Sequence, residues 1–205
     1  MKFVVIGAHL YRDDVDPLAE AIPVSDIFIS AVGVADDRPL GDRDLLLEVA
    51  GLRGRLLDRA TFIAIRYGFA ARDAGEVVNK CAGRAPQWRE LLQQHRDEVE
   101  MTLKVAGEAP ARPDRRQFTS GAAYLKALHA VAAIIDPRFR AGVDRTLVPL
   151  ATQHRWGHNE LAMLVRRPDL DALSAAGEQL RRDFAGVPFL LSGPWPLEVF
   201  ADDDH

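Results

Sequence analysis

The stretch Glu98-Val99-Glu100-Met101-Thr102-Leu103-Lys104-Val105 alternates polar and apolar residues without a break. Successive side chains of an extended chain point to opposite faces, so Glu98, Glu100, Thr102 and Lys104 share one face and the four apolar residues the other. That pattern predicts a strand with one face on a core and one toward water. Upstream, residues 2–8 (KFVVIGA) form an apolar, β-branched run suited to a buried strand, and residues 25–34 (SDIFISAVGV) a second, ended by Asp36-Asp37-Arg38-Pro39. Leu45, Val49, Leu52 and Leu56 recur at helical spacing and predict a helix over 43–59. Residues 61–67 (TFIAIRY) read as a strand closed by Gly68, and 73–82 and 86–96 as two helices, Pro86 suiting the first turn of the second. The resulting order, β-β-α-β-α-α-β, predicts an α+β domain over residues 1–105, a variant of the ferredoxin-like pattern.

Residues 106–118 carry prolines, a glycine and several charges and read as a linker. The remainder, 119–205, reads as a second, helical α+β domain. Its expected elements are helices at 120–135 and 138–152, a strand at 158–166, a helix opened by Pro168, and a short strand at 188–192.

The chain has 205 residues, 48% hydrophobic and 27% charged, enough to bury a core without covalent staples. Its one cysteine, Cys81, has no partner for an intramolecular disulfide, which fits a reducing cytoplasm. The short apolar opening meets Arg12-Asp13-Asp14 and is expected neither to insert in a membrane nor to act as a leader. A net charge of -4 argues against a nucleic-acid-binding surface.

No dinucleotide fingerprint, phosphate loop or nucleophile elbow occurs, so no cofactor and no catalytic residue are expected. His154 and His158, followed by Glu160, would suit zinc if they shared a helix face, and a small metal-dependent hydrolase is the enzyme reading to weigh. Gly157 between them, and a strand starting at His158, point instead to histidines in a connection, and no metal is expected. Cys81 reads as a small packing residue. Glu100 and Lys104 lie about 13 Å apart on one strand face, and Arg66 reaches them if its strand is a neighbour. Spacing leaves two readings open for this trio: a surface ion-pair set, or a polar patch that docks a partner. In Gly193-Pro194-Trp195-Pro196, two prolines fix φ and remove donors, glycine permits a sharp turn and tryptophan supplies a large amphipathic surface. Such a segment either locks the last strand onto the body or anchors another protein.

Several segments together resemble one family. GPWPLEVF (193–200) is similar to the Gly-Pro-Trp-Pro-Pro-Tyr-x-Phe signature of the GvpL/GvpF gas vesicle proteins. FIAIRYG resembles their Leu-Pro-x-Arg-Phe-Gly strand at Arg66 and Gly68, and VEMTLKV their Glu-x-x-x-Lys strand at Glu100 and Lys104. SGAAYL, with Ser120, Gly121, Tyr124 and Leu125, resembles a family helix start, and NELAMLV a late strand. Departures are Leu197 and Glu198 for proline and tyrosine, Ala64 for proline, and a different opening strand. The resemblance implies a non-enzymatic, gas vesicle-associated assembly factor or minor component that binds the hydrophobic shell protein GvpA, with other gas vesicle accessory proteins as further candidate partners. It makes Arg66, Glu100 and Lys104 the expected polar patch and Trp195 with Phe200 the expected apolar anchor. The alternative is a relative repurposed as an interaction module in a cell lacking gas vesicles.

Overall fold

The opening run folds as β1 (Lys2–His9), and every residue after Lys2 is buried. The computed structural model describes residues 1–14, 16–106, 114–124, 135–198 and 200. By residue contacts the chain divides into two units, Met1–Val99 with the chain from Pro194 onward, and Glu100–Gly193. The sequence expectation put the boundary at a linker over 106–118 and the whole C-terminal stretch in the second domain. Residues 107–113 of that linker lie outside the described residues.

In the first unit, β2 (Glu20–Val24), β3 (Ile27–Val34) and β4 (Ile63–Ala64) join β1 in the order β2-β3-β1-β4, and β5 (Ala70–Ala71) also pairs with β1. All these pairings are antiparallel. The hairpin strand β3 thus inserts between β1 and its own partner β2, the split arrangement of ferredoxin-like folds. A 3-10 turn at Arg12–Asp14 stands where such folds carry their first crossover helix. β2 went unread in the sequence because Pro23 interrupts it, which an edge strand tolerates. The strand expected at 61–67 is only two residues long: the chain turns at Gly68 (φ 93) and returns to β1 as β5.

α1 (Arg43–Arg59) buries the expected stripe, Leu45, Val49, Leu52 and Leu56, and Asp42 caps it by accepting from the Leu45 amide at 2.9 Å. α2 (Ala74–Cys81) is capped by Asp73, which accepts from the Glu76 amide, while Glu76 reaches back to accept from the amide of Arg72, one residue before the cap. α3 (Ala85–Gln94) buries Trp88 and Leu92. Cys81 is buried, and burial raises its thiol pKa against the opposing charge of Lys80, so it is a packing residue. Two buried polar groups were not foreseen. His9 Nδ1 donates to the Tyr11 carbonyl at 2.8 Å and Nε2 accepts from Ser30 Oγ at 2.8 Å, which fixes a neutral tautomer; burial lowers its pKa. Asp16 is held by Arg55 Nε at 2.6 Å; burial alone would raise its pKa, but Arg55 and the Leu18 amide bring it below the ordinary value.

The second unit is built on a sheet of order β7-β8-β6-β9, with β6 (Glu98–Val105), β7 (Gln153–Trp156), β8 (Glu160–Arg166) and β9 (Phe189–Trp195). The unit division falls inside β6 and β9. α4 (Pro137–Thr146) and α5 (Leu170–Asp183) cover it, so that Phe139, Val143, Leu173 and Leu180 share a core with Leu103, Leu161 and Met163. Phe139 meets Phe184 edge-on with ring centroids 5.4 Å apart. Ser120 Oγ caps a helical turn at 121–124; residues 125–134 of the helix expected there lie outside the described residues. β7 escaped the sequence reading because it is a largely exposed edge strand with no apolar alternation.

The alternation of β6 holds in the backbone but not fully in exposure. Glu100 is only 3% exposed and is partnered, as a buried carboxylate must be, whereas Lys104 is exposed. The expected solvent face is therefore closed at Glu100. β9 is also longer than expected, running through Gly193 and Pro194 to Trp195, and its place at the sheet edge makes the missing proline donor tolerable. Gly193 has φ 127, and a Cβ there would stand 2.6 Å from Met101 Sδ and 2.9 Å from the Glu100 carbonyl oxygen. Only glycine fits both demands. Gly193→Ala is expected to cost about 2–4 kcal/mol in urea unfolding; a loss under about 0.5 kcal/mol would contradict this packing.

Candidate functional site

A cleft of about 800 Å³ opens in the first unit, lined by the chain at Ile63–Tyr67, by side chains of α1, α2 and α3, and by Leu197 and Glu198. Its wall begins with backbone pairing. The Leu197 amide donates to the Phe62 carbonyl at 2.9 Å and the Ala64 amide to the Leu197 carbonyl at 3.4 Å, so Leu197 sits as a parallel bridge beside Ile63. Leu197 is 1% exposed, and this contact delivers the adjacent Glu198 to the cleft.

The lining carries Arg53, Arg66, Lys80 and Arg84 against one carboxylate, Glu198. Arg53 projects from α1 at the flank of its apolar stripe, and its Nη2 donates to the Ile65 carbonyl. Its Nε is buried and makes no hydrogen bond among the described residues. Burial lowers the pKa of this guanidinium, while Glu198 and Tyr67 oppose that effect. Lys80 is engaged, 2.9 Å from Glu76 Oε1 and from the Ala70 carbonyl, with its ammonium over the Phe69 ring. Glu76 is correspondingly held down to about 2, first by the Arg72 amide and then by Lys80 and the Arg72 side chain. Arg66 and Arg84 differ: both are exposed, and neither guanidinium makes a hydrogen bond or ion pair among the described residues. The lining contains no histidine, cysteine, serine or threonine; its polar side chains are the four cations, Tyr67 and Glu198, a set whose guanidiniums can pair an anion.

Of the residues singled out in the sequence, only Arg66 lies here. Glu100 and Lys104 belong to the second unit, and β4 and β6 to different sheets, so the strand neighbourhood needed to join Arg66 to that pair is not present. Lys104 instead lies 4.0 Å from Glu160, an exposed pair worth at most about 1 kcal/mol. Trp195 is 47% exposed, as an anchor must be, but Phe200 is 6% exposed and packs inward. The lock in this segment is thus made by Leu197 and Phe200, not by the tryptophan. His154 lies in β7, His158 in the connection after it and Glu160 at the start of β8. The three thus stand on two strands and the turn between them, not on one helix face, and no metal-holding group of three ligands occurs among the described residues. No described helix is long and apolar enough to cross a membrane. Arg53 and Arg84 were missed as site residues; the signal available was an arginine four residues after Val49, beside the buried stripe of α1.

A family model described as gas vesicle synthesis protein GvpL/GvpF matches residues 20–201. The chain belongs to this family. Two solved structures show the same α+β fold. The gas vesicle protein GvpF from Anabaena sp. PCC7120 is 14% identical with a TM-score of 0.71, covering 100% of this chain and 97% of that one. GvpF from Microcystis aeruginosa is 12% identical with a TM-score of 0.71, covering 98% of this chain and 99% of that one. No curated protein matches the sequence. Within the GvpL/GvpF family, then, this member forms its cleft with Leu197 and Glu198, the two positions at which its C-terminal signature departs from the expected proline and tyrosine.

Leu197→Ala removes a side chain buried against the cleft wall. It is expected to destabilise the first unit by about 2–4 kcal/mol in denaturant unfolding; an unchanged midpoint would show that the C-terminal contact is incidental.

Proposed function

We propose that this protein is an assembly factor, or minor component, of gas vesicles that binds the hydrophobic shell protein GvpA in the cytoplasm while the vesicle forms. It acts by binding alone, without catalysis or cofactor. The observation that carries this reading is the GvpL/GvpF family match across residues 20–201. Two features of the chain support it. The cleft lining offers four cations and three aromatic rings against a single carboxylate. Trp195, exposed at the end of the edge strand β9, offers apolar surface for a partner. The physical need is plain, because a shell subunit that polymerises through strands and apolar surface is an aggregation hazard until it is placed.

With the purified protein immobilised, the shell protein is expected to be retained well above an unrelated soluble control. Trp195→Ala should reduce retention by about tenfold or more, in the range of an aromatic hot spot. Retention no greater than that of the control would overturn the proposal.

A further inference from the structure

We infer that the cleft of the first unit seats an acidic segment of a protein partner, with carboxylates on Arg66 and Arg84 and an apolar side chain against the half-buried rings of Tyr67 and Phe69. The inference rests on the reading of this chain as a protein-binding member of its family only in taking the ligand to be a protein. Charge complementarity is its first support. Lys80 is spent on Glu76 and Ala70, and Arg53 on the Ile65 carbonyl with Glu198 nearby. That leaves Arg66 and Arg84, exposed in one cleft and without a partner among the described residues. The protein as a whole carries a net charge of -4, so two unpaired guanidiniums in a concave site are a local reversal of sign. Guanidinium pairs carboxylates through two parallel N–H donors, which gives direction as well as attraction.

Size and lining choose among anions. A volume of about 800 Å³ holds a few residues rather than a duplex or a folded domain. Aromatic and aliphatic lining beside the cations suits a ligand carrying apolar side chains between its charges. Glu198 within the lining, and the acidic balance of the whole chain, oppose a continuous polyanion such as a nucleic acid.

The probe is a short fluorescein-labelled peptide of alternating glutamate and leucine, titrated with the full chain and followed by fluorescence anisotropy. The same peptide with glutamine replacing glutamate is the comparison. The glutamate peptide should bind at least about tenfold more tightly, and its affinity should fall as salt is raised. Reversing Arg66→Glu with Arg84→Glu should weaken it by about tenfold or more, while Arg115→Glu with Arg116→Glu, outside the cleft, should leave it unchanged. Circular dichroism and Tm check that each variant is folded. Equal binding of the glutamine peptide, or indifference to the Arg66 and Arg84 reversals, would overturn the inference. So would a single-stranded RNA oligomer that binds more tightly than the peptide and loses affinity with the same reversals. Loss of this inference with retained capture of the shell protein would leave the proposed function standing, so the two fail separately.

Discussion

The first unit depends on a parallel backbone bridge between Leu197 and the chain at Phe62 to Ala64. β4 is only two residues long, and without the two hydrogen bonds to Leu197 its outer edge would be an unpaired row of amides and carbonyls. The bridge satisfies that edge and buries Leu197. It also sets Glu198 beside the cationic lining, where its charge offsets part of the penalty of burying the Arg53 guanidinium. A residue almost at the end of the sequence therefore completes a wall whose other parts come from residues 53 to 88.

Upstream of that bridge stands a second constraint. Gly193 has the positive φ and the missing side chain that let β9 lie against the Glu100 backbone and Met101. The family signature Gly-Pro-Trp-Pro is thus a sequence of separate physical jobs. Glycine permits the close approach and proline is tolerated at a sheet edge. Tryptophan stays in solvent, and the residues just after it carry the burial.

Local signals dominated what the sequence made legible. The alternation of EVEMTLKV located β6, and the stripe from Leu45 to Leu56 located α1 over 43–59, because each pattern depends only on its own periodicity. The edge strands β2 and β7 were hidden because they exist by pairing, one containing Pro23 and the other almost without apolar residues. Exposure along β6 was misjudged at Glu100, since which polar groups a sheet buries is decided by distant segments that alternation does not reveal. The site was legible only at Arg66. Arg53 and Arg84 meet it through tertiary packing, and Phe200, expected as an anchor, is drawn inward.

The central claim, that the C-terminal segment is an integral part of the first unit, is tested most directly by native-state hydrogen exchange at the Leu197 amide. The account predicts that this amide exchanges with the slow class that includes Val5, whose amide donates to the Phe69 carbonyl in the same sheet region, and that both respond alike to denaturant. Exchange of the Leu197 amide as a frayed end, fast and insensitive to denaturant while Val5 stays protected, would contradict it.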